Sequence, residues 1–208
     1  MDVLQQQAQL LRRFQREELR RYLFPSTLLF ILSIGLGAGL CIASQEAGEA
    51  IVEQFIEMAT QAGAMTEEGG ISFFGILSNN WRAMLLILCY GLLPFLFLPA
   101  LALFSNGALI GIMLSYYQQH GLSVLLALAA IVPHGIFELP ALVIAGAAGL
   151  CLCHALTRKI LHSPQAPSLL QTAENVLRLL LLTLFPLVLI AAIIETYITP
   201  ALLSLLIP

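Results

Sequence analysis

Residues 122–157 form a nearly unbroken apolar run, and that run limits the chain's fold more than any other feature. As one helix it would be about 54 Å long at ~1.5 Å per residue, against a hydrocarbon core of about 30 Å. Inside it stands Pro133-His134-Gly135-Ile136-Phe137-Glu138-Leu139-Pro140. A titratable side chain at bilayer depth costs roughly 2.5–3.5 kcal/mol on insertion scales. A proline inside a helix costs about 3 kcal/mol and frees a carbonyl one turn back. The octapeptide therefore marks an architectural or functional centre. The sequence predicts a break there, with Pro133 as the first residue of a new helix. Residues 122–132, too short to cross, are expected to be re-entrant or interfacial. Residues 134–157 are expected to span and to deliver Arg158 and Lys159 to the cytoplasm. Ala141, Ala145 and Gly149 make a small-residue ridge for close helix packing.

Only 10% of the 208 residues are charged and 59% are apolar, where a soluble domain carries about 25% charged residues. The expected fold class is all-α: a polytopic helical membrane protein of about five spans with broken or re-entrant segments. No basic stripe with interleaved aromatics exists, so a nucleic-acid partner is not expected. Cys41, Cys89, Cys151 and Cys153 lie in or beside apolar segments without zinc spacing and read as small lipid- or core-facing side chains. The start of the chain does not read as a cleavable signal, because its charged region is long and the first apolar stretch approaches the length of a span.

Residues 1–24 read as a cytoplasmic basic amphipathic helix lying at the membrane interface. Leu4, Ala8, Leu11, Leu19 and Tyr22 fall at roughly helical spacing, and Arg12, Arg13, Arg16, Arg20 and Arg21 occupy the rest. Those arginines place the N-terminus inside. Residues 25–208 read as one membrane domain. The first span is 26–43, where Gly35 and Gly39 form a GxxxG step expected to pack within the chain. Residues 44–80 carry six glutamates and no lysine or arginine, so this acidic loop is expected to face outward. Part of it is helical, with Ile51, Phe55, Met58 and Ala62 on one face and Glu49, Glu53 and Glu57 on the other. A glycine break at Gly69-Gly70 and a short interfacial helix at Ile71–Leu77 should follow. Asn79, Asn80, Trp81 and Arg82 mark an interface, with Asn suited to cap a helix start. A bent crossing at 83–104 contains Pro94 and Pro99. A turn or helix start at Ser105-Asn106-Gly107 leads into 106–118, where Gly107 and Gly111 repeat the GxxxG step. A linker at 160–175 precedes the last span, 176–198, bent by Pro186 and stopped by Pro200. An apolar tail at 201–207 should lie in the outer interface, which places the C-terminus outside.

His134 and Glu138 are four apart, hence on one face of a helix. They are expected to pair by hydrogen bond or charge, with Glu195 of the last span nearby and Asn106 as a neutral partner. Three roles are open to this set: a structural lock, a proton- or ion-coupled transport site, and a zinc-dependent hydrolase. The HExxH signature and the Gly-x-Ser-x-Gly elbow are both absent, so no catalytic residue, metal ligand or cofactor is assigned.

His134-Gly135-x-x-Glu138-Leu139-Pro140-Ala141 and the following Ile144-Ala145-Gly146-x-x-Gly149-Leu150 resemble the signature of the stage II sporulation protein M family. Asn79-Asn80, Asn106-Gly107-x-x-x-Gly111 and Ala191-Ala192-x-Ile194-Glu195-x-Tyr197-Ile198-Thr199-Pro200 agree with it, and the resemblance extends from about residue 20 to residue 200. The resemblance implies a five-span integral protein of the cytoplasmic membrane. In endospore formers the family member is the membrane-embedded part of a complex with two cell-wall-degrading enzymes, and most relatives sit in organisms that do not sporulate. The family carries no established catalytic residues. The expected function is a non-enzymatic membrane scaffold, with a small proton- or ion-coupled transporter using His134, Glu138 and Glu195 as the alternative. The expected partners are the lipid bilayer, an envelope or cell-wall hydrolase met by Glu49, Glu53 and Glu57, and a second copy of the chain.

Overall fold

The computed structural model describes residues 3–63, 72–164 and 167–206, and among them all regular structure is helical. Glu67, Glu68 and the Gly69-Gly70 break lie outside the described residues. Four helical stretches are long and apolar enough to cross a membrane: Gln5–Ala43, Leu98–Gln119, Leu125–Ile160 and Leu169–Leu206.

The first stretch is continuous. Helix α1 (Val3–Phe14) passes through a π turn (Gln15–Leu19) into α2 (Arg20–Ala43). Pro25 lies inside α2 and does not start it; the carbonyl it deprives of a donor belongs to exposed Arg21. The N-terminal helix is amphipathic as expected, but its apolar stripe does not lie on lipid. Leu11, Phe14 and Leu19 are buried in the main core with Val176, Leu179 and Leu180. The arginines stay on the exposed face. Burying Phe14 against the protein removes it from water as fully as lipid would, and intramolecular docking does so without a separate binding step.

Helix α3 (Gln45–Gln61) is capped by Ser44, whose Oγ accepts from the Ala47 N–H at 3.3 Å. It folds back on the bundle through Val52, which clusters with Cys41 of α2 and Ile112. Its buried face is Gly48 and Val52, flanked by Ile51, Phe55 and Ala59; Met58, expected on that face, is exposed.

Helix α4 (Phe73–Tyr90) begins at a Ser72 cap, with Oγ accepting from the Gly75 N–H at 3.2 Å. Asn79 and Asn80 are therefore mid-helix residues, not caps, and the short interfacial helix expected at Ile71–Leu77 is, over its residues 73–77, part of α4. The polar Asn79-Asn80-Trp81-Arg82 stretch keeps α4 out of the four apolar spans. It still runs through the bundle, antiparallel to the last helix: Phe73 stacks on Tyr197 at 6.3 Å and Trp81 meets Phe185 edge-on at 5.2 Å.

The expected turn at Ser105-Asn106-Gly107 is displaced. The chain reverses at residues 91–97, and α5 runs unbroken over Leu98–Gln119 with Pro99 in its first turn, where a missing N–H costs nothing. Phe95 (φ 66°) and Phe97 (φ 47°) adopt the left-handed region that bulky side chains avoid. The turn is tied down by the Phe95 N–H donating to Thr157 Oγ1 at 3.0 Å and by Cys153 Sγ donating to the Leu93 carbonyl at 3.4 Å.

Helix α6 (Val124–Ile160) is one 37-residue helix with Pro133 and Pro140 inside it. The expected break at Pro133, and with it the re-entrant segment 122–132, is absent. Capping by Ser123, whose Oγ accepts from the Leu126 N–H at 3.2 Å, and Arg158 and Lys159 in the last turn favour helix at both ends. The buried ridge Ala141, Ala145, Ala148 and Leu152 holds the middle against the bundle. The last stretch is also continuous: α7 (Leu169–Leu179), a π turn (Leu180–Leu184), α8 (Phe185–Ile193), a second π turn (Ile194–Ile198) and α9 (Thr199–Leu206). Each of these π turns ends two residues before a proline, Pro186 or Pro200. A π turn shifts the donor register by one residue: the Phe185 N–H reaches the Leu180 carbonyl and the Thr199 N–H reaches Ile194. That shift lets the helix pass a residue with no N–H. Pro200 consequently does not stop the helix, and residues 201–206 continue it as α9.

The bundle has two ends. At one lie α3, the start of α4, the 120–123 turn and α9. At the other lie the 91–97 turn, the end of α6 and the start of α7. The tightest contact is α2 beside α5, two parallel helices: Ser115 Oγ reaches the Ala38 carbonyl at 3.4 Å and Gln119 Nε2 donates to the Cys41 carbonyl at 3.3 Å.

Candidate functional site

The antiparallel hairpin of α6 with the last helix brings Glu138 opposite Glu195. His134, one turn before Glu138 on α6, completes the group. One donor atom from each of these three residues lies within 4.8 Å of the other two, and each residue is partly buried. Glu195 rides on the π turn Ile194–Ile198. Such a turn widens the helix locally and re-aims its side chains, and π turns are frequent at functional sites.

The group is under-satisfied. His134 Nδ1 is buried without a hydrogen-bond partner, so the expected His134–Glu138 pair does not close through that nitrogen. Thr196 Oγ1 and Thr199 Oγ1, which follow Glu195 in sequence, and Asn80 Nδ2 on α4 are also buried without partners. Thr199 is only 5% exposed. Buried polar atoms are ordinarily paired, so these orphans, with Ser26 Oγ on α2, stand out among the described residues. Two carboxylates this close also repel when both are charged; a shared proton or a bound cation removes that cost.

Asn106 does not join the group. Its amide nitrogen donates to the Ala102 carbonyl at 2.8 Å on its own helix. Packing of Leu103 against Gly146 sets the α5–α6 register and leaves Asn106 more than a turn from Glu138.

The small residues divide differently from the expectation. Gly107 and Gly111 face α2, where a Cβ on Gly111 would collide with the Ile34 carbonyl. Their counterpart on α2 is Gly37, whose Cβ would meet the Ala108 carbonyl. Gly35 and Gly39 have nothing within 4 Å and face away from the fold, so they do not make the intramolecular contact predicted for them. Ala145 is fully buried, and Gly149 lies against the Ile87 carbonyl and Pro99.

The acidic stripe of α3 is not uniformly free. Glu49 approaches His120 Nε2 at 3.6 Å and accepts from Gln45 Nε2 at 2.9 Å. Glu57 accepts from Gln61 at 3.0 Å, and Glu53 is exposed.

Sequence reasoning missed both the π turns and the orphaned Asn80, Thr196 and Thr199. Pro186 and Pro200 signal the former only by following them. Asn80 was visible as a polar residue in an apolar helix, but its position one residue before Trp81 suggested an interface.

An all-α architecture with four candidate membrane spans and a buried His–Glu–Glu joint defines a polytopic membrane protein. Within that class, the chain belongs to the family described as Stage II sporulation protein M, whose model matches residues 26–200. That match begins at the residue after Pro25 and so leaves out α1. An uncharacterized protein of Methanocaldococcus jannaschii is 33% identical over 129 residues, 62% of this chain and 71% of that protein. No solved structure matches.

Proposed function

We propose that the protein is a non-enzymatic scaffold of the cytoplasmic membrane that organises an envelope partner on the side where α3 lies. The observation that carries this reading is the docking of α3. Val52 is fully buried against Cys41 and Ile112, and Gly48 is pressed onto Cys41. That fixes a capped helix with Glu53 and Glu57 pointing outward, an ordered acidic face suited to a basic surface. A peptidoglycan-remodelling enzyme is the partner class that the family resemblance suggests. A photocrosslinker at Glu53 should trap one envelope protein in cells, and the adduct should be lost when Glu57 is reversed to Lys. Adducts with lipid or with the chain itself alone would contradict the reading.

A second reading, a proton or ion conduit, is favoured by the partly buried His134–Glu138–Glu195 group, in which His134 Nδ1 has no partner. It predicts that Glu138→Gln abolishes ion-linked flux in proteoliposomes while the protein still folds. Unchanged flux in that variant would remove it.

A further inference from the structure

We propose that His134, Glu138 and Glu195 form a binding site for a first-row divalent cation of the zinc type, joining α6 to the last helix. This goes beyond the sequence reading, which assigns no metal, and it depends on neither functional reading above. The donors are one imidazole nitrogen and two carboxylate oxygens, all within 4.8 Å of one another. A tetrahedral ion with bonds of about 2.1 Å needs donor atoms roughly 3.4 Å apart. The residual ångström or so lies within the reach of side-chain torsions. The donor chemistry selects the ion: an imidazole with only three protein ligands suits Zn²⁺ and its neighbours, whereas Mg²⁺ and Ca²⁺ take six or more oxygens.

A second observation points to a ligand independently of the carboxylates. His134 Nδ1 is a buried nitrogen with no partner, and since buried polar atoms are ordinarily paired, a ligand bound at this imidazole would supply what the protein does not. A third is Thr199, four residues beyond Glu195 and hence near its face of the helix, with a buried hydroxyl that likewise has no partner. It stands one turn on from Glu195, where a metal-bound water would find a hydrogen-bonding group. The three donors come from two helices far apart in sequence, so the ion would cross-link the bundle where the π turn at 194–198 loosens it.

The wild-type protein, purified in detergent and stripped with a chelator, is titrated with Zn²⁺ alone. The expected result is one Zn²⁺ per chain with a rise in melting temperature of about 5 °C when free Zn²⁺ is a hundredfold above its dissociation constant. Co²⁺ in its place should give the visible absorption of a four- or five-coordinate site. His134→Ala and Glu195→Gln should each weaken binding more than tenfold. His120→Ala, which removes the imidazole beside Glu49, should leave it unchanged. Absence of stoichiometric Zn²⁺ and of any melting shift in the wild-type protein would overturn the proposal and leave a proton shared between the carboxyls. Loss of binding in His120→Ala alone would overturn it equally, by moving the ion to the Glu49–His120 pair.

Discussion

Gly35 and Gly37 are two residues apart on one helix, and only Gly37 touches the protein. A two-residue step turns a helix by about 200°, so a motif search that finds Gly35 and Gly39 selects the wrong face. Gly107 and Gly111 were legible as a close-packing step because they do pack; which glycine they met was not, because spacing does not reveal azimuth. Gly37→Ala should destabilise the protein by about 1–3 kcal/mol, since the added methyl meets backbone that has nowhere to go. Gly35→Ala should stay within about 0.5 kcal/mol of the original. Thermal melting in detergent separates the two. The His134–Glu138–Glu195 group shows the other side of legibility. Its members stood out as ionisable residues in apolar segments, and four-residue spacing put the first two on one face. Asn106 stood out as a neutral polar residue in such a segment and was mistaken for a member, because nothing in the sequence shows that its amide is spent on Ala102.

At the scale of elements, the existence of helices was readable and their ends were not. Prolines were the cause. Pro133, Pro186 and Pro200 suggest breaks or bends, and all three lie in helices that continue past them. Pro94, by contrast, stands in the turn that does reverse the chain. The difference lies in what surrounds each one: π turns precede Pro186 and Pro200, whereas Pro94 is followed by two phenylalanines held at positive φ. The amphipathic period of α1 was also visible, but what its stripe meets was not, because a protein groove and a lipid surface ask for the same residues. Phe14 is 2% exposed within the main core. Phe14→Ala should therefore cost about 3–5 kcal/mol in unfolding free energy, and Arg178, which donates to Gln7 at 2.6 Å, should lose that anchor. If α1 instead lay on the bilayer, Phe14→Ala would leave melting unchanged and reduce only vesicle binding.

For the whole molecule, three long helical stretches, 3–43, 124–160 and 169–206, are laced together by α4 and α5, and α3 closes one end. The orientation proposed from the arginines and glutamates is open to a direct check. In a cysteine-free background, Glu53→Cys should react with an impermeant maleimide in intact cells, and Ser163→Cys only after permeabilisation. The reverse pattern would place α3 inside and remove the envelope-facing surface. The conduit reading and the cation site both rest on the joint between α6 and the last helix. A double-mutant cycle on Glu138→Gln and Glu195→Gln, read as unfolding free energy in detergent, tests that joint most directly. If the two carboxyls act as one unit, the double variant departs from the sum of the singles by at least about 1 kcal/mol; if their effects add to within about 0.5 kcal/mol, they are independent and the joint does not exist.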